Sequence, residues 1–335
     1  MDLPASLRHG LDRELEKTPA RVLAAAAEAL SSRYRAGAGE DGTTPHLRSP
    51  GDVTAYAAFR LPATFGAIGA ALGAVRERRP DWRPHAILDA GAGPGTALWA
   101  ATALWPSLQE ATAIERDDSM IALGRRLATD AGGEAPVRGA ATWLRADLTS
   151  PWKTPSTAYD LVVAAYTLGE VAPRARAEVL SRLWAATTPD GVLLVAEPGT
   201  TEGFGVILAA RTQVLSVGAN VVAPCPHDRA CPMGEGDWCH FAQRVARSKL
   251  HRQVKGGALA YEDEKYTYVA LTRTGVGSPI AGRVLRHPQV RPGRITLELC
   301  APDGLEKTTV TRADPRRWRE ARDITWGDAL TLDPR

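Results

Sequence analysis

Cys225, Cys231, Cys239 and Cys300 are the only four cysteines in the chain, and three of them fall within one short segment. Four thiols in a chain of this length cannot form the disulfide framework of a small secreted domain. Their clustering points instead to ligands, because thiolates at this density bind zinc or iron-sulfur clusters. Successive cysteines are separated by five, seven and sixty residues, whereas structural zinc sites usually present paired knuckles with two to four residues between cysteines. The spacing weighs against zinc without removing it. Pro226 and Pro232, directly after cysteines, suit a cluster-binding loop whose bent backbone turns N–H groups toward sulfur. His227 and His240 are reserve zinc ligands, with contacts around the ligands or to RNA as their alternative roles.

A second segment, Ile87-Leu88-Asp89-Ala90-Gly91-Ala92-Gly93-Pro94-Gly95-Thr96, reads as a strand running into a glycine turn and then a helix. Glycines let the backbone approach a ligand closely, and the helix N-terminus offers unpaired N–H groups. Dinucleotide enzymes use a similar device, but Gly91, Gly93 and Gly95 are spaced more tightly than the G-x-G-x-x-G fingerprint, and Asp89 precedes them.

Around these residues the chain alternates. Ala86 to Ala90, Ala111 to Glu115, Thr142 to Leu148, Leu161 to Ala165 and Val192 to Ala196 are short apolar runs separated by helix-like segments. The clearest helices are Asp118 to Ala131, Arg174 to Thr187 and Glu202 to Gly218. That rhythm predicts an α/β domain with a parallel sheet. Before it, Leu3, Leu7, Leu11 and Leu15 line one helical face, and two further helical regions, Pro19 to Arg35 and Asp52 to Arg79 broken near Pro62, complete an N-terminal helical portion that reads as packing. Ala36 to Gly51 reads as a loop. From Asn220 to Lys255 apolar periodicity fades. Strand-like runs at Tyr266 to Thr272, Arg283 to Arg286, Arg294 to Cys300 and Lys307 to Thr311 then suggest a small antiparallel β module. The expected divisions are 1–80 helical, 81–218 nucleotide-binding core, 219–265 cysteine-rich insertion, and 266–335 final core strand with β module.

With 44% hydrophobic and 24% charged residues in 335, the composition is that of a folded globular chain and excludes fibrous and disordered classes. No run approaches 18 consecutive apolar residues, so no membrane span is expected, and the acidic N-terminus suits neither a secretory signal nor a transit peptide. A cytoplasmic location is the expectation. The net charge of +3 is unevenly distributed: Arg244 to Arg294 holds eleven basic residues against three acidic ones, an excess that predicts a phosphate-binding face.

The glycine segment resembles motif I of class I S-adenosylmethionine-dependent methyltransferases, and the resemblance runs in order from about His85 to Thr200. It implies that Asp89, Gly91, Gly93 and Gly95 belong to the S-adenosylmethionine site, that Glu115 grips the ribose hydroxyls, and that Asp147 meets the adenine amino group. Carboxylates suit both tasks, since they accept hydrogen bonds only and those groups donate them. After the fourth strand neither an Asn/Asp-Pro-Pro-Tyr motif nor a cysteine nucleophile is present, so no catalytic residue is assigned. Tyr166 or Glu170 could face a substrate, although each reads first as a packing or loop residue, and Glu197-Pro198-Gly199-Thr200 reads as a candidate wall of the transfer pocket or a rigid strand-to-helix turn.

The combination of that core with Glu197-Pro198-Gly199-Thr200, the Cys-Pro-His block leading to Trp238-Cys239-His240-Phe241, Tyr261-Glu262-Asp263-Glu264-Lys265-Tyr266 and Trp326-Gly327-Asp328 resembles one family from about residue 50 onward. It is similar to the mitochondrial small-ribosomal-subunit assembly proteins called methyltransferase-like seventeen, as a bacterial homologue would be. The resemblance implies a 4Fe-4S cluster held by Cys225, Cys231, Cys239 and Cys300, with zinc as the alternative metal. It also implies association with the small ribosomal subunit and its rRNA, on a methyltransferase fold acting in subunit assembly or rRNA methylation. Competing readings are a small-molecule or protein methyltransferase with structural zinc, and a catalytically inactive assembly factor. A monomer is expected.

Overall fold

The computed structural model describes residues 1–36, 49–139, 141–154, 158–247, 260–276 and 279–331. Most of the expected loop from Ala36 to Gly51 lies outside the described residues. Two helices, α1 (Ala5–Glu16) and α2 (Ala20–Ala36), lead to α3 (Pro50–Ala55), a π-helical turn over Tyr56–Arg60, and α4 (Leu61–Arg78). The π turn sits where the sequence places a break. Pro62 has no N–H to give Ala58 and its ring crowds that carbonyl, so the helix widens ahead of it. Together Pro50–Arg78 make 29 residues apolar enough to cross a bilayer, but 78% of that window is buried inside the protein, which makes it a core helix.

The alternation predicted from sequence builds β1 (Ala86–Ala90), α5 (Thr96–Leu104), β2 (Glu110–Glu115), α6 (Asp118–Ala131), β3 (Ala141–Arg145), β4 (Tyr159–Ala165), α7 (Pro173–Ala185), β5 (Thr187–Pro198) and α8 (Thr201–Leu215). Strands β3-β2-β1-β4-β5 run parallel in that order, and β8 (Tyr261–Thr272) closes the series antiparallel to β5. Every residue of β1 is buried, as expected of a central parallel strand covered on both faces. Ile87, Leu161, Val163 and Leu194 pack toward α4, α5 and α6, while Leu88, Val162, Leu193 and Val195 pack toward α7 and α8.

Two strands lie in the stretch where periodicity fades. β6 (Asn220–Ala223) and β7 (Phe241–Ala246) share one edge of β8 end to end: β6 pairs with Ala270–Thr272 and β7 with Tyr261–Tyr266. The cysteine segment is therefore a loop leaving the sheet edge between two strands that the sheet itself orders. A second sheet comprises β9 (Gly282–Val284), β10 (Gln289–Arg291), β11 (Arg294–Ala301), β12 (Gly304–Thr311) and β13 (Ala329–Leu330), with α9 (Pro315–Ala321) set on β12. Its core is Val284, Ile295, Leu297, Leu299, Val310 and Leu330. This is the expected β module.

The predicted basic face between Arg244 and Arg294 is not realised as one surface. Arg273 is spent on the carbonyls of Trp184 and Thr187 with its guanidinium 3.9 Å from the Trp184 ring. Arg283 is 1% exposed and donates to the carbonyls of Pro224 and Gly327. Arg244, Arg247 and Arg286 pair with Asp263, Glu262 and Asp237. Lys249, Arg252 and Lys255 lie outside the described residues. Counting charges along sequence ignores such pairing, which is why the excess overstated the patch.

Candidate functional site

A cavity of about 1080 Å³ opens at the carboxyl ends of β1, β2, β4 and β5, the edge where parallel sheets bind ligands. Gly91 and Gly93 form its floor, with φ of +71° and +54° that disfavour any side chain. A Cβ on Gly91 would stand 2.5 Å from Thr167 Cγ2, so Gly91 is required by packing. A Cβ on Gly93 would meet only the Tyr56 hydroxyl, at 3.6 Å. Gly93 is thus the position where a ligand can take the space that a side chain would occupy.

Glu115 ends β2 on the cavity wall. Its Oε2 accepts the Gly93 N–H at 2.8 Å, and Oε1 accepts those of Arg116 and Asp117 at 2.8 and 2.9 Å. Burial nevertheless pushes its carboxyl above the usual range. A carboxylate offers about four lone-pair directions, so one on Oε2 remains to accept a further donor. Asp147 lines the same cavity and accepts from Thr149 N and Oγ1 at 2.8 and 2.6 Å. Burial raises its carboxyl, but those bonds and Arg116 outweigh it and hold the group below the usual range. Arg116 stands 4.0 Å from both Asp147 and Glu170, bridging the mouth.

Asp89 and Gly95 are placed differently from the other expected ligands. Neither lines this cavity. Gly95 caps α5 at φ +83° against Trp143. Asp89 is 2% exposed beneath the turn, its Oδ2 has no hydrogen-bond partner among the described residues, and burial together with Glu115 pushes its pKa up to about 8. The folded state therefore holds this proton while the unfolded chain has lost it above its ordinary value of 3.8. Stability conferred by the neutral acid is complete below that value and is lost as pH rises toward 8. At about 1.4 kcal/mol per pH unit, the window represents on the order of 5 kcal/mol. Asp89→Asn is expected to flatten the pH dependence of denaturant midpoints from about pH 4 to 8, with the largest gain at the alkaline end; an unchanged slope would remove Asp89 as its source.

Residues read as packing also reach the site. Ser31, Tyr56, Arg60 and Thr64 from the N-terminal helical portion line the cavity, as do Tyr166 and Glu170. Tyr166 adopts φ +56°, a left-handed conformation uncommon outside glycine, which turns its hydroxyl to donate to Glu264 Oε1 at 3.2 Å. Arg60 completes the group, 3.4 Å from Glu264 and 5.6 Å from the Tyr166 ring centroid. Glu197, 2% exposed, accepts the N–H groups of Thr167 and Gly169 at 3.3 and 3.0 Å. Burial lifts both Glu170 and Glu197 to about 7. The Glu197-Pro198-Gly199-Thr200 wall, Tyr166 and Glu170 were visible in sequence as candidates; Ser31, Tyr56, Arg60 and Thr64, set in helices, carry no such signal.

All four cysteines line one cavity on the other side of α8. Cys225 follows β6, Cys239 precedes β7, and Cys300 arrives from β11 of the second sheet. Burial, and the neighbouring thiols, raise Cys239 and Cys300, the latter to about 12. Among the described residues, no three His, Cys, Asp or Glu side chains converge closely enough to hold one metal ion. His227 Nε2 stands 3.7 Å from Cys300 Sγ, whereas His240 is packed between Trp238 and Trp326 and only 7% exposed. Two buried guanidinium groups flank the thiols. Arg211 ties down the carbonyls of His227 and Arg229, and neither Arg211 Nε nor Arg283 Nη2 has a hydrogen-bond partner among the described residues.

The segments singled out in sequence meet in space. Trp238 Nε1 donates to Gly199 O at 2.9 Å, Gly199 N to Lys265 O at 3.0 Å, and Trp326 Nε1 to His240 O at 3.0 Å.

The parallel core, its antiparallel closing strand and the cavity at the glycine turn define the class I methyltransferase fold. The chain matches the family described as mitochondrial small ribosomal subunit Rsm22 over residues 50–331, and it belongs to that family. It is similar to the human mitochondrial ribosome assembly protein METTL17, 31% identical over 297 residues that cover 83% of this chain and 62% of that protein. The mitochondrial ribosome assembly protein RSM22 of Saccharomyces cerevisiae is 22% identical over 278 residues, covering 52% of this chain and 44% of the relative. The chain thus spans less than two thirds of these relatives' lengths. Among solved structures, the plantazolicin methyltransferase BpumL in complex with SAH superposes with a TM-score of 0.44 at 11% identity, covering 79% of this chain and 99% of that one.

Proposed function

We propose that this chain is an S-adenosylmethionine-binding assembly protein of the small ribosomal subunit that associates with rRNA, and that its four cysteines carry a 4Fe-4S cluster. The observation that carries the nucleotide part is the cavity in which Gly93, Glu115 and Asp147 meet. Glu115 has a lone pair to spare for a ribose hydroxyl, Asp147 accepts the adenine amine, and the open space at Gly93 admits the ligand against the backbone. S-adenosylmethionine, when bound, supplies an electrophilic methyl group. The residues around it orient and desolvate: Tyr166 is fixed by Glu264 and Arg60, and Glu170 and Glu197 each hold a proton near neutrality.

The metal part is supported by donor chemistry and by placement. The four cysteines line one cavity and supply the four thiolates that a 4Fe-4S cluster takes. Two buried arginines with unpaired N–H groups suit the negative charge that four thiolates bring.

Anaerobic purification followed by absorption spectroscopy and calorimetric titration with S-adenosylmethionine tests both parts, and co-sedimentation with small ribosomal subunits tests the partner. A brown, nucleotide-binding protein in the subunit fraction is expected. Failure to sediment with subunits at low salt overturns the ribosomal reading.

A further inference from the structure

We infer that the outer face of the β10–β11–β12 sheet is a phosphate-binding platform for RNA, an inference that rests on the ribosomal reading above and locates its contact surface. Side chains on that face follow from the register. Arg291 opposes Arg294, which opposes Thr311; Gln289 opposes Thr296, which opposes Thr309. The alternate residues Ile295, Leu297 and Leu299 go to the core, so this face is polar from the Pro292-Gly293 turn as far as Glu298 and Lys307, with Cys300 and Leu305 beyond. Arg291, Arg294, Gln289, Thr309 and Thr311 are exposed.

The two arginines flank the Pro292-Gly293 turn as a directly opposed pair of like charges, an arrangement that destabilises a hairpin. Arg312 is held beside the same turn through its N–H to the Gly293 carbonyl at 3.3 Å. Among the described residues none of these three arginines has a carboxylate within ion-pair distance. Along the same face, four residues further on β11, Glu298 is neutralised by Lys307 at 3.2 Å. Charge is thus compensated at one end of the sheet and left uncompensated at the other. Most other arginines between Arg244 and Arg286 are paired or buried: Arg244, Arg247 and Arg286 face carboxylates, and Arg273 and Arg283 are spent on backbone carbonyls. A ligand with repeated negative charge would offset the repulsion, and hydroxyl and amide side chains between the arginines are suited to phosphate and sugar oxygens. Around the arginines this face carries only polar side chains, its exposed Leu305 standing at the far end opposite Cys300, which favours a phosphodiester backbone over a lipid surface, which binding helices enter with apolar residues.

The test compares the full chain with Arg291→Gln/Arg294→Gln and with Arg244→Gln, whose arginine is paired with Asp263. Affinity for a fluorescein-labelled RNA hairpin is read by anisotropy across a salt series, with melting temperature measured alongside. The double variant is expected to bind at least about tenfold more weakly at physiological salt, with the slope of log affinity against log salt reduced by about 1.4 to 1.8. Its melting temperature should hold or rise, because like charges have been removed; a purely structural role for these arginines would lower it. Arg244→Gln should match the parent. Parent-like RNA binding by the double variant overturns this surface while leaving the ribosomal reading intact, and no RNA binding by the parent overturns that reading itself. Preferential binding of the parent to anionic vesicles, lost in the double variant, would reassign the face to membranes.

Discussion

Iron and acid-labile sulfide are expected to fall to background in each of Cys225→Ser, Cys231→Ser, Cys239→Ser and Cys300→Ser, prepared without oxygen. On the proposed cluster reading the four positions are expected to act as one unit, because the cavity they share joins two sheets. Cys225 and Cys239 border the gap between β6 and β7 on the edge of β8, whereas Cys300 belongs to β11. Burial and the neighbouring thiols raise the pKa of Cys239 well above the usual thiol range. Metal binding contributes folding energy directly, on the order of 10 kcal/mol at structural sites. Losing the metal should therefore loosen the Cys225–Cys239 loop and the contact between sheets, read as faster hydrogen exchange there. The strands β1, β4 and β5, held by their own buried faces, should retain protection. Full iron retention in Cys300→Ser would exclude Cys300 from the site. Stoichiometric zinc in anaerobic parent protein would overturn the cluster assignment.

How much of this was legible in sequence differs from element to element. The glycine turn could be read because it is local: three glycines, the preceding strand and the following helix lie within ten residues, and each glycine has a positive φ. Glu115 and Asp147 were legible because parallel strands repeat at regular intervals and bring their carboxyl ends to one edge. The cysteine set was legible as a cluster in sequence but not as a geometry. Sixty residues separate Cys239 from Cys300, and only the antiparallel return of β8 followed by the second sheet brings them together. The N-terminal helices hid their contribution, since Tyr56, Arg60 and Thr64 follow helical periodicity and reach the cavity from a helix otherwise devoted to packing. Charge misled most: Arg273 and Arg283 look like surface residues in sequence, yet the fold spends both guanidinium groups on backbone carbonyls and buries that of Arg283.

The glycine turn itself offers a separation between folding and binding. Gly93→Asp is expected to abolish calorimetrically detectable S-adenosylmethionine binding while the protein still melts cooperatively. Its Cβ would enter open cavity space, with only the Tyr56 hydroxyl nearby at 3.6 Å, and aspartate is among the residues that tolerate a left-handed backbone. The cost to the fold is then about 1 to 2 kcal/mol, while a carboxylate beside Glu115 fills the space a ligand needs. Gly91→Ala should behave oppositely, because its Cβ meets Thr167 at 2.5 Å and the chain must shift to admit it; reduced stability should accompany any loss of binding. Glu115→Ala should fall between them. It removes the acceptor for a ribose hydroxyl, a charge-assisted bond of about 1.5 to 3 kcal/mol, and it also releases the Gly93 N–H that holds the turn in place. A roughly tenfold to hundredfold weaker affinity is expected from that variant. Parent-like affinity in both Gly93→Asp and Glu115→Ala would place the cofactor elsewhere in the molecule.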